Sequence, residues 1–112
     1  MATEADCDKA LRTLVDMLAR VPADVRARYV LDRSVSCRVH DLGVTWSARL
    51  CDEGIVDLHT GDDTKAQVRL SVGSDDLVAL VEGRQSVTSA FATGKVRVQA
   101  SPLDMLRLTN LI

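Results

Sequence analysis

Five segments of the chain alternate apolar and polar residues with a period of two. In the first of them Val35, Cys37 and Val39 alternate with Ser36 and Arg38. Because successive side chains of a β-strand point to opposite faces of a sheet, this period predicts strands with one apolar and one polar face. A register slip of one residue would expose the whole apolar set, at ~1.5–3 kcal/mol for each large side chain. The alternation therefore specifies which face is buried.

The other four segments continue this pattern almost to the end of the chain. Their apolar positions are Val44, Trp46, Ala48 and Leu50; Val56 and Leu58; Ala66, Val68, Leu70 and Val72; and Val96, Val98 and Ala100. Turn signals at 41–43 and 52–54 join the first three segments closely, which predicts an antiparallel meander beginning near Tyr29. A parallel sheet is disfavoured, because it needs long crossovers and strands that are apolar on both faces.

Helical signals lie before and after these strands. Apolar residues at helical spacing predict a helix from Ala5 to Val21, with a short helical turn after it. Ser74, Ser86 and Ser101 are each placed to cap a later helix. Since only helices remain to cover the apolar side of the sheet, the sequence predicts an α+β fold: a five-stranded, mainly antiparallel sheet with helices covering one face.

Length and charge narrow the classes of function. A chain of 112 residues has room for one core, so we expect a single domain over 1–112, with an N-terminal helix in 1–21 and the sheet and its covering helices in 29–112. The net charge of -2 and the lack of a Lys/Arg run disfavour nucleic acid as a partner. No segment approaches the ~20 continuous apolar residues of a membrane span, so we expect no stable membrane insertion. Acidic residues near the N-terminus do not fit a signal peptide, which favours a cytoplasmic location.

The residues that could carry chemistry do not assemble into a catalytic or metal-binding pattern. His40 and His59 fall on the polar face, and two histidines without a third regularly spaced ligand give little support for a metal site. No serine lies in a G-x-S-x-G elbow or beside a His–acid pair. We therefore expect no enzyme activity, no metal and no cofactor.

Two other polar features have plain structural interpretations. The three cysteines lack CxxC spacing, and Cys37 and Cys51 fall on opposite faces, so a disulfide between them is disfavoured. Cys37 is expected in the core and Cys51 partly exposed. Four arginines share the polar face: Arg38, Arg49, Arg69 and Arg97. They could bind an anionic partner, headgroup or phosphate, but a solvated face that keeps the sheet from aggregating is the preferred interpretation.

Three groups of residues resemble one known family. The sequences are TWSARL at 45–50 with DEG at 52–54, AQVRLSV at 66–72 with SDDL at 74–77, and LVEG at 80–83 with AFATGKVRV at 90–98. They are similar to the second strand and turn, the fourth strand and next helix, and the helix–Gly, helix–Gly–Lys and closing strand of the sterol carrier protein type 2 family. The resemblance covers 29–112, and the chain looks like a small stand-alone domain of bacterial type.

The resemblance implies an apolar tunnel between the sheet and its helices. Members of the family bind sterols, fatty acids, acyl-CoA or other lipids there, without catalytic residues. The implied function is non-enzymatic binding of a lipid, sterol or other apolar ligand, with transfer as a further possibility. The apolar residues expected to line the tunnel are Trp46, Leu70, Leu77, Leu80, Phe91, Leu103, Met105 and Leu106. The competing interpretation is that they fill a packed core.

A second function is compatible with the same fold. The last helix carries more apolar surface than one narrow stripe requires, and such a surface often binds another protein. The chain could therefore be a protein–protein interaction or dimerisation module that keeps the fold without binding lipid. This alternative predicts that Leu106, Leu108, Leu111 and Ile112 are buried against a second chain.

Overall fold

A computed structural model describes residues 1–29 and 32–111, with side chains described for 1–26 and 32–106. Five helices and five strands follow one another in these residues. In chain order they are α1 (Glu4–Ala19), α2 (Ala23–Tyr29), β1 (Arg33–Val39), β2 (Val44–Cys51), β3 (Gly54–Thr60), β4 (Val68–Val72), α3 (Ser74–Val81), α4 (Val87–Ala92), β5 (Val96–Gln99) and α5 (Pro102–Leu111). Tyr29 ends α2 rather than starting the alternating region, which begins at Arg33.

The strands form one sheet in the order β3-β2-β1-β4-β5. Neighbouring strands are antiparallel, except that β1 and β4 run parallel. The prediction of a five-stranded, mainly antiparallel sheet is confirmed, with this one parallel pair. The parallel pair arises because the chain leaves the edge strand β3 and crosses to β4 over the polar face. The crossing segment comprises residues 61–67 and is bonded to Ser47 on that face. The Ser47 hydroxyl donates to the Gly61 carbonyl at 2.5 Å and accepts from the Asp63 amide at 3.1 Å, which fixes the segment against the sheet.

The apolar face of the sheet packs against α1 and α3. Cys37 of β1 lies between Trp46 of β2 and Leu70 of β4, so the three central strands place these side chains in one row. From above, α1 contributes Leu11 and α3 contributes Leu77 to the same buried cluster. Burial of these apolar side chains stabilises the packing of both helices on the sheet.

Strand β3 departs from the predicted alternation. Val56 and Leu58 were expected on one face, but Val56 lies beside Arg49 on the polar face while Leu58 packs on the core. The register between β2 and β3 shifts at this point, and Asp57 has a φ of 58°. A bulge inserts one unpaired residue and reverses the parity after it, and an aspartate tolerates the left-handed conformation better than most residues. Ile55 and Leu58 therefore form the apolar side of β3.

The start of α3 also differs from the sequence-based prediction. Ser74 was expected to be the N-cap, but it is the first helical residue, and the N-cap Gly73 makes no side-chain hydrogen bond. The carboxylate of Asp41, which follows β1, accepts hydrogen bonds from the Ser74 amide at 2.9 Å and from the Ser74 hydroxyl at 2.6 Å. A residue distant in sequence thus satisfies the amino end of this helix. At the two other predicted caps, the Ser86 and Ser101 hydroxyls accept from the amides of Ser89 and Asp104.

We expect α3 to lose stability as the pH falls through the titration of Asp41. The hydrogen bonds from Ser74 hold the pKa of the Asp41 carboxyl below its ordinary value of 3.8. A lowered pKa in the folded state means that the stabilisation is complete above the unfolded pKa and is lost as the pH falls through the folded pKa. Urea midpoints followed by circular dichroism should therefore decline below about pH 5.

The variant Asp41→Asn separates this carboxyl from the other acids. It should be less stable than the wild type at neutral pH and should lose less stability on acidification. Ser74→Ala, which removes the hydroxyl donor, should flatten the acid profile in the same sense. Superimposable acid profiles for wild type and Asp41→Asn would contradict the proposed role of Asp41.

Arg26 of α2 fixes the far end of α1. One of its terminal guanidinium nitrogens donates to the carbonyls of Leu18, Ala19 and Val21 at 3.4, 3.4 and 3.0 Å, and its Nε donates to the Asp52 carbonyl at 2.5 Å. The last carbonyls of a helix lack intrahelical partners, and a cation there also complements the helix dipole. Arg26 therefore ties α1 to the β2–β3 turn and holds it over the sheet.

Candidate functional site

A cavity of about 260 Å³ lies between the apolar face of the sheet and helices α1 and α3. The strands provide its floor and the two helices provide its roof. The lining residues are Leu11, Leu14, Val15, Val35, Cys37, Trp46, Ser47, Ala48, Leu50, Ile55, Leu58, Leu70, Val72, Leu77, Leu80 and Val96. Leu14 on α1 remains 38% exposed, so the cavity approaches solvent at this helix.

The polar atoms around the cavity are satisfied outside it. The indole Nε1 of Trp46 donates to the Asp8 carboxylate at 3.1 Å, and the Ser47 hydroxyl is bonded to the crossing segment on the other face. Burial raises the pKa of the Cys37 thiol to about 11, so this thiol is neutral at physiological pH. The lining therefore presents an uncharged, apolar surface, which suits an apolar ligand held by contact rather than by charge.

Helix α1, in the roof of the cavity, is hydrogen-bonded directly to Trp46 in its floor. Asp8 accepts from Trp46 and also forms an ion pair with Arg12 at 2.9 Å. The hydrogen bond from Arg12, followed by the one from Trp46, lowers the pKa of the Asp8 carboxyl. Asp8 is therefore ionised at neutral pH and positions the indole of Trp46, a residue that is 1% exposed and forms part of the floor.

The structure brings together four of the eight residues predicted to line a tunnel. Trp46, Leu70, Leu77 and Leu80 line the cavity. The other four do not contribute to its lining; they are Phe91, Leu103, Met105 and Leu106. Of these, Leu103 and Leu106 are 56% and 59% exposed, while Phe91 and Met105 are half-buried.

The attachment of α5 explains why Leu103 and Leu106 lie outside the cavity. Arg33 of β1 forms two hydrogen bonds with the buried Asp104 carboxylate, at 3.0 and 3.1 Å. Arg33 lies beside Leu50, at the end of the sheet where β1 begins. The first turn of α5 is therefore held at one end of the cavity rather than over its middle.

Sequence reasoning overlooked the contribution of α1 and β3 to the lining. Leu11, Leu14 and Val15 belong to the apolar stripe of α1, and this helical spacing was the signal that could have identified them. Ile55 was obscured by the bulge at Asp57, whereas Leu58 fell on the predicted apolar side of its strand but was not assigned to the lining. No local pattern reveals which helix crosses which strand.

The remaining candidate residues fall where the alternation predicted. His40 and His59 are exposed, Cys37 is buried and Cys51 is half-buried, and all three cysteines are free thiols. Over the described ranges 1–29 and 32–111, no group of three His, Cys, Asp or Glu residues could hold a metal ion. None of the helices in these ranges has the length and apolar character needed to cross a membrane.

The side chains of Leu108, Leu111 and Ile112, on which the dimer hypothesis depends, lie outside the described residues.

Solved structures with this fold include two mosquito proteins and a bacterial enzyme. Sterol carrier protein 2-like 2 from Aedes aegypti superposes with a TM-score of 0.70 at 16% identity, covering 96% of this chain and 97% of that one. Sterol carrier protein-2 from the same species, in complex with the C16 fatty acid palmitate, has a TM-score of 0.65 at 18% identity, with 99% and 96% covered. The sec-alkylsulfatase Pisa1 from Pseudomonas sp. has a TM-score of 0.62 at 18% identity. This chain is covered to 86%, but it spans only 14% of that enzyme.

The sequence itself matches one family over most of its length. Residues 16–112 match the SCP-2 sterol transfer family. No protein of curated function matches the sequence. The matched region contains the end of α1, the whole sheet, and helices α2, α3, α4 and α5. The chain therefore belongs to the SCP-2 sterol transfer family.

Proposed function

We propose that this protein binds one apolar ligand with a single acyl chain, or another ligand of similar size, in the cavity beneath α1 and α3, without catalysing a reaction. The observation that carries the proposal is the apolar lining of a 260 Å³ cavity whose nearby polar atoms are bonded elsewhere. This volume lies just below the ~300–1,000 Å³ common for small-molecule sites, which favours one chain over a lipid with several.

The size of the cavity argues against a packed core. An apolar cavity of about 260 Å³ leaves the side chains around it without packing partners on one side, so their dispersion contacts are lost. A ligand that fills the space would restore those contacts, which supports a binding role for the cavity.

The entrance proposed for the ligand lies near α5. The ion pair of Arg33 with Asp104 holds the first turn of α5 beside Leu50, which lines the cavity. The exposed side chains of Leu103 and Leu106 lie in the first two turns of α5 and would shield an acyl chain as it enters. A polar headgroup would remain in water, because none of the described residues that line the cavity is charged.

A fatty-acid titration followed by native mass spectrometry tests this proposal. Palmitate is the first ligand to use, since the Aedes aegypti relative was solved in complex with it. We expect one saturable adduct per chain and quenching or a spectral shift of Trp46, the only tryptophan. An octanoate series provides a length control, because a shorter chain buries fewer methylene groups at ~0.8 kcal/mol each and should bind more weakly. Equal, weak and unsaturable association of both acids would refute the proposal.

A dimerisation module remains the second candidate, because Leu103 and Leu106 are more than half exposed on α5. The same spectra distinguish the two functions. A stable dimer that takes up neither acid would favour the interaction module, whereas a monomer carrying one acid would favour the carrier.

A further inference from the structure

The polar face of the sheet contains a second pocket, on the opposite side from the cavity. Its volume is about 330 Å³, and its lining includes Arg38, Arg69 and Arg97 from three adjacent strands. The hydroxyl side chain of Ser71 lies between two of these arginines, since Ser71 pairs with Arg38 on one side and Arg97 on the other. Strand spacing of ~4.8 Å places the two arginine backbones roughly 10 Å apart, within reach of one small ligand between them.

The arginines of this pocket form no ion pairs among the described residues. Among the residues that the structure describes, no carboxylate comes within 4.0 Å of the side-chain nitrogens of Arg38, Arg69 or Arg97. The fourth arginine of this face, Arg49, differs because it forms an ion pair with Asp32 at 2.7 Å. These unpaired guanidinium groups create a positive potential at the pocket, which a bound anion would reduce.

The crossing segment between β3 and β4 forms one wall of the pocket. Its Asp63 carbonyl accepts a hydrogen bond from Arg69 at 3.2 Å, which fixes one guanidinium; the other N–H groups of that guanidinium make no hydrogen bond to the described residues. Asp62 of the same segment also lines the pocket and is the one acidic residue among its described lining. Three guanidinium groups and one carboxylate give the pocket a formal charge of about +2, although the chain as a whole carries -2.

We propose that this pocket binds a phosphate group. Guanidinium groups match the geometry of phosphate oxygens in bidentate pairs, and a dianionic phosphate balances the formal charge of the pocket. Ser71 and Gln99 provide further hydrogen-bond donors on the same wall. The site lies across the sheet from the apolar cavity, so a phosphate and an apolar ligand would bind independently. The phosphate belongs either to a free ester or inorganic ion in solution or to a lipid headgroup.

Titration of the ¹⁵N-labelled chain with inorganic phosphate, at constant ionic strength adjusted with sodium chloride, tests the site. We expect saturable shifts of the Arg38, Arg69, Ser71 and Arg97 signals. Arg97→Gln should weaken phosphate binding by roughly tenfold or more, because it removes a charge-assisted contact. Arg49→Gln is the matched control: it removes the same charge from the same face, outside the pocket, and should change the affinity less than about twofold.

Three results would overturn the proposal. They are shifts that do not saturate, shifts reproduced by sodium chloride alone, and equal losses in Arg97→Gln and Arg49→Gln. Retention of palmitate binding by Arg97→Gln would show that the variant is folded and that the two sites are separate. If palmitate fails to bind while phosphate saturates, only the function proposed for the cavity fails.

Flotation with phosphatidic acid vesicles distinguishes the two sources of phosphate. Flotation that inorganic phosphate competes away, and that Arg97→Gln loses, identifies a lipid headgroup. Saturable phosphate shifts without flotation identify a phosphate in solution. Flotation without saturable phosphate shifts would be a general attraction of charge and would refute a defined pocket.

Discussion

The variant Ala48→Phe is expected to weaken the binding of palmitate at least tenfold while leaving the fold intact. Ala48 lies in the middle of β2, beside Val35 of β1, and both residues line the cavity. A phenyl group at this position would enter the space proposed for the acyl chain. We expect affinity to fall by at least tenfold, which corresponds to about 1.4 kcal/mol, and the free energy of unfolding to rise by ~0.5–2 kcal/mol because a void is filled.

Isothermal titration with palmitate and urea unfolding measure these two effects separately. The control is Ala92→Phe, which adds the same group at an exposed position of α4 and should bind palmitate like the wild type. If Ala48→Phe retains wild-type affinity, the ligand does not occupy this cavity. If it is markedly destabilised, the space above Ala48 is too narrow for an aromatic ring, and Ala48→Leu would then be the variant to compare.

The largest loss of stability is expected for Trp46→Ala. Trp46 is 1% exposed, packs in the core cluster and donates its indole N–H to Asp8. Truncation of a buried tryptophan removes its apolar contacts and leaves a void, which typically costs ~3–5 kcal/mol. Since small domains have about 5–15 kcal/mol in total, the variant should be close to unfolded at 37 °C.

A comparison with Trp46→Phe separates packing from the hydrogen bond. Phenylalanine keeps much of the apolar volume but cannot donate to Asp8, so its cost should be smaller than that of alanine. Leu106→Ala is the surface control and should change stability by less than about 0.5 kcal/mol, because Leu106 is 59% exposed. Circular dichroism is the suitable probe, since the two Trp46 variants lack the only tryptophan and so cannot be followed by its fluorescence. A loss below ~1 kcal/mol for Trp46→Ala would contradict its place in the core.

The strands that could be predicted well were those whose pattern is purely local. Alternation identified β1, β2, β4 and β5 and assigned Cys37, Trp46 and Leu70 to the buried face, as the structure confirms. The same rule failed in β3, because one residue of positive φ at Asp57 reverses the parity of every residue beyond it. A bulge depends on the pairing of two strands, so the sequence of one strand does not reveal it.

Capping shows the same division between local and distant partners. At Ser86 and Ser101 the partner amide lies three residues away in the chain, and the predicted hydrogen bonds form. At Ser74 the carboxylate of Asp41, 33 residues away, accepts the hydrogen bond of the backbone amide at the start of the helix. The serine hydroxyl then donates to the same carboxylate instead of accepting as a cap. Asp41 is adjacent to Ser74 only because β1 and β4 run side by side in parallel.

The sequence alone determined the α+β class, the buried face of four strands and the family, because periodicity and local turn chemistry are properties of neighbouring residues. Only the tertiary structure decided the shape of the site. It placed α1 over the cavity, since the Arg26 and Asp8 contacts hold α1 there, and Arg33 attaches the first turn of α5 at the end of the sheet. These contacts join residues far apart in the chain, and their geometry follows from packing that no local pattern records.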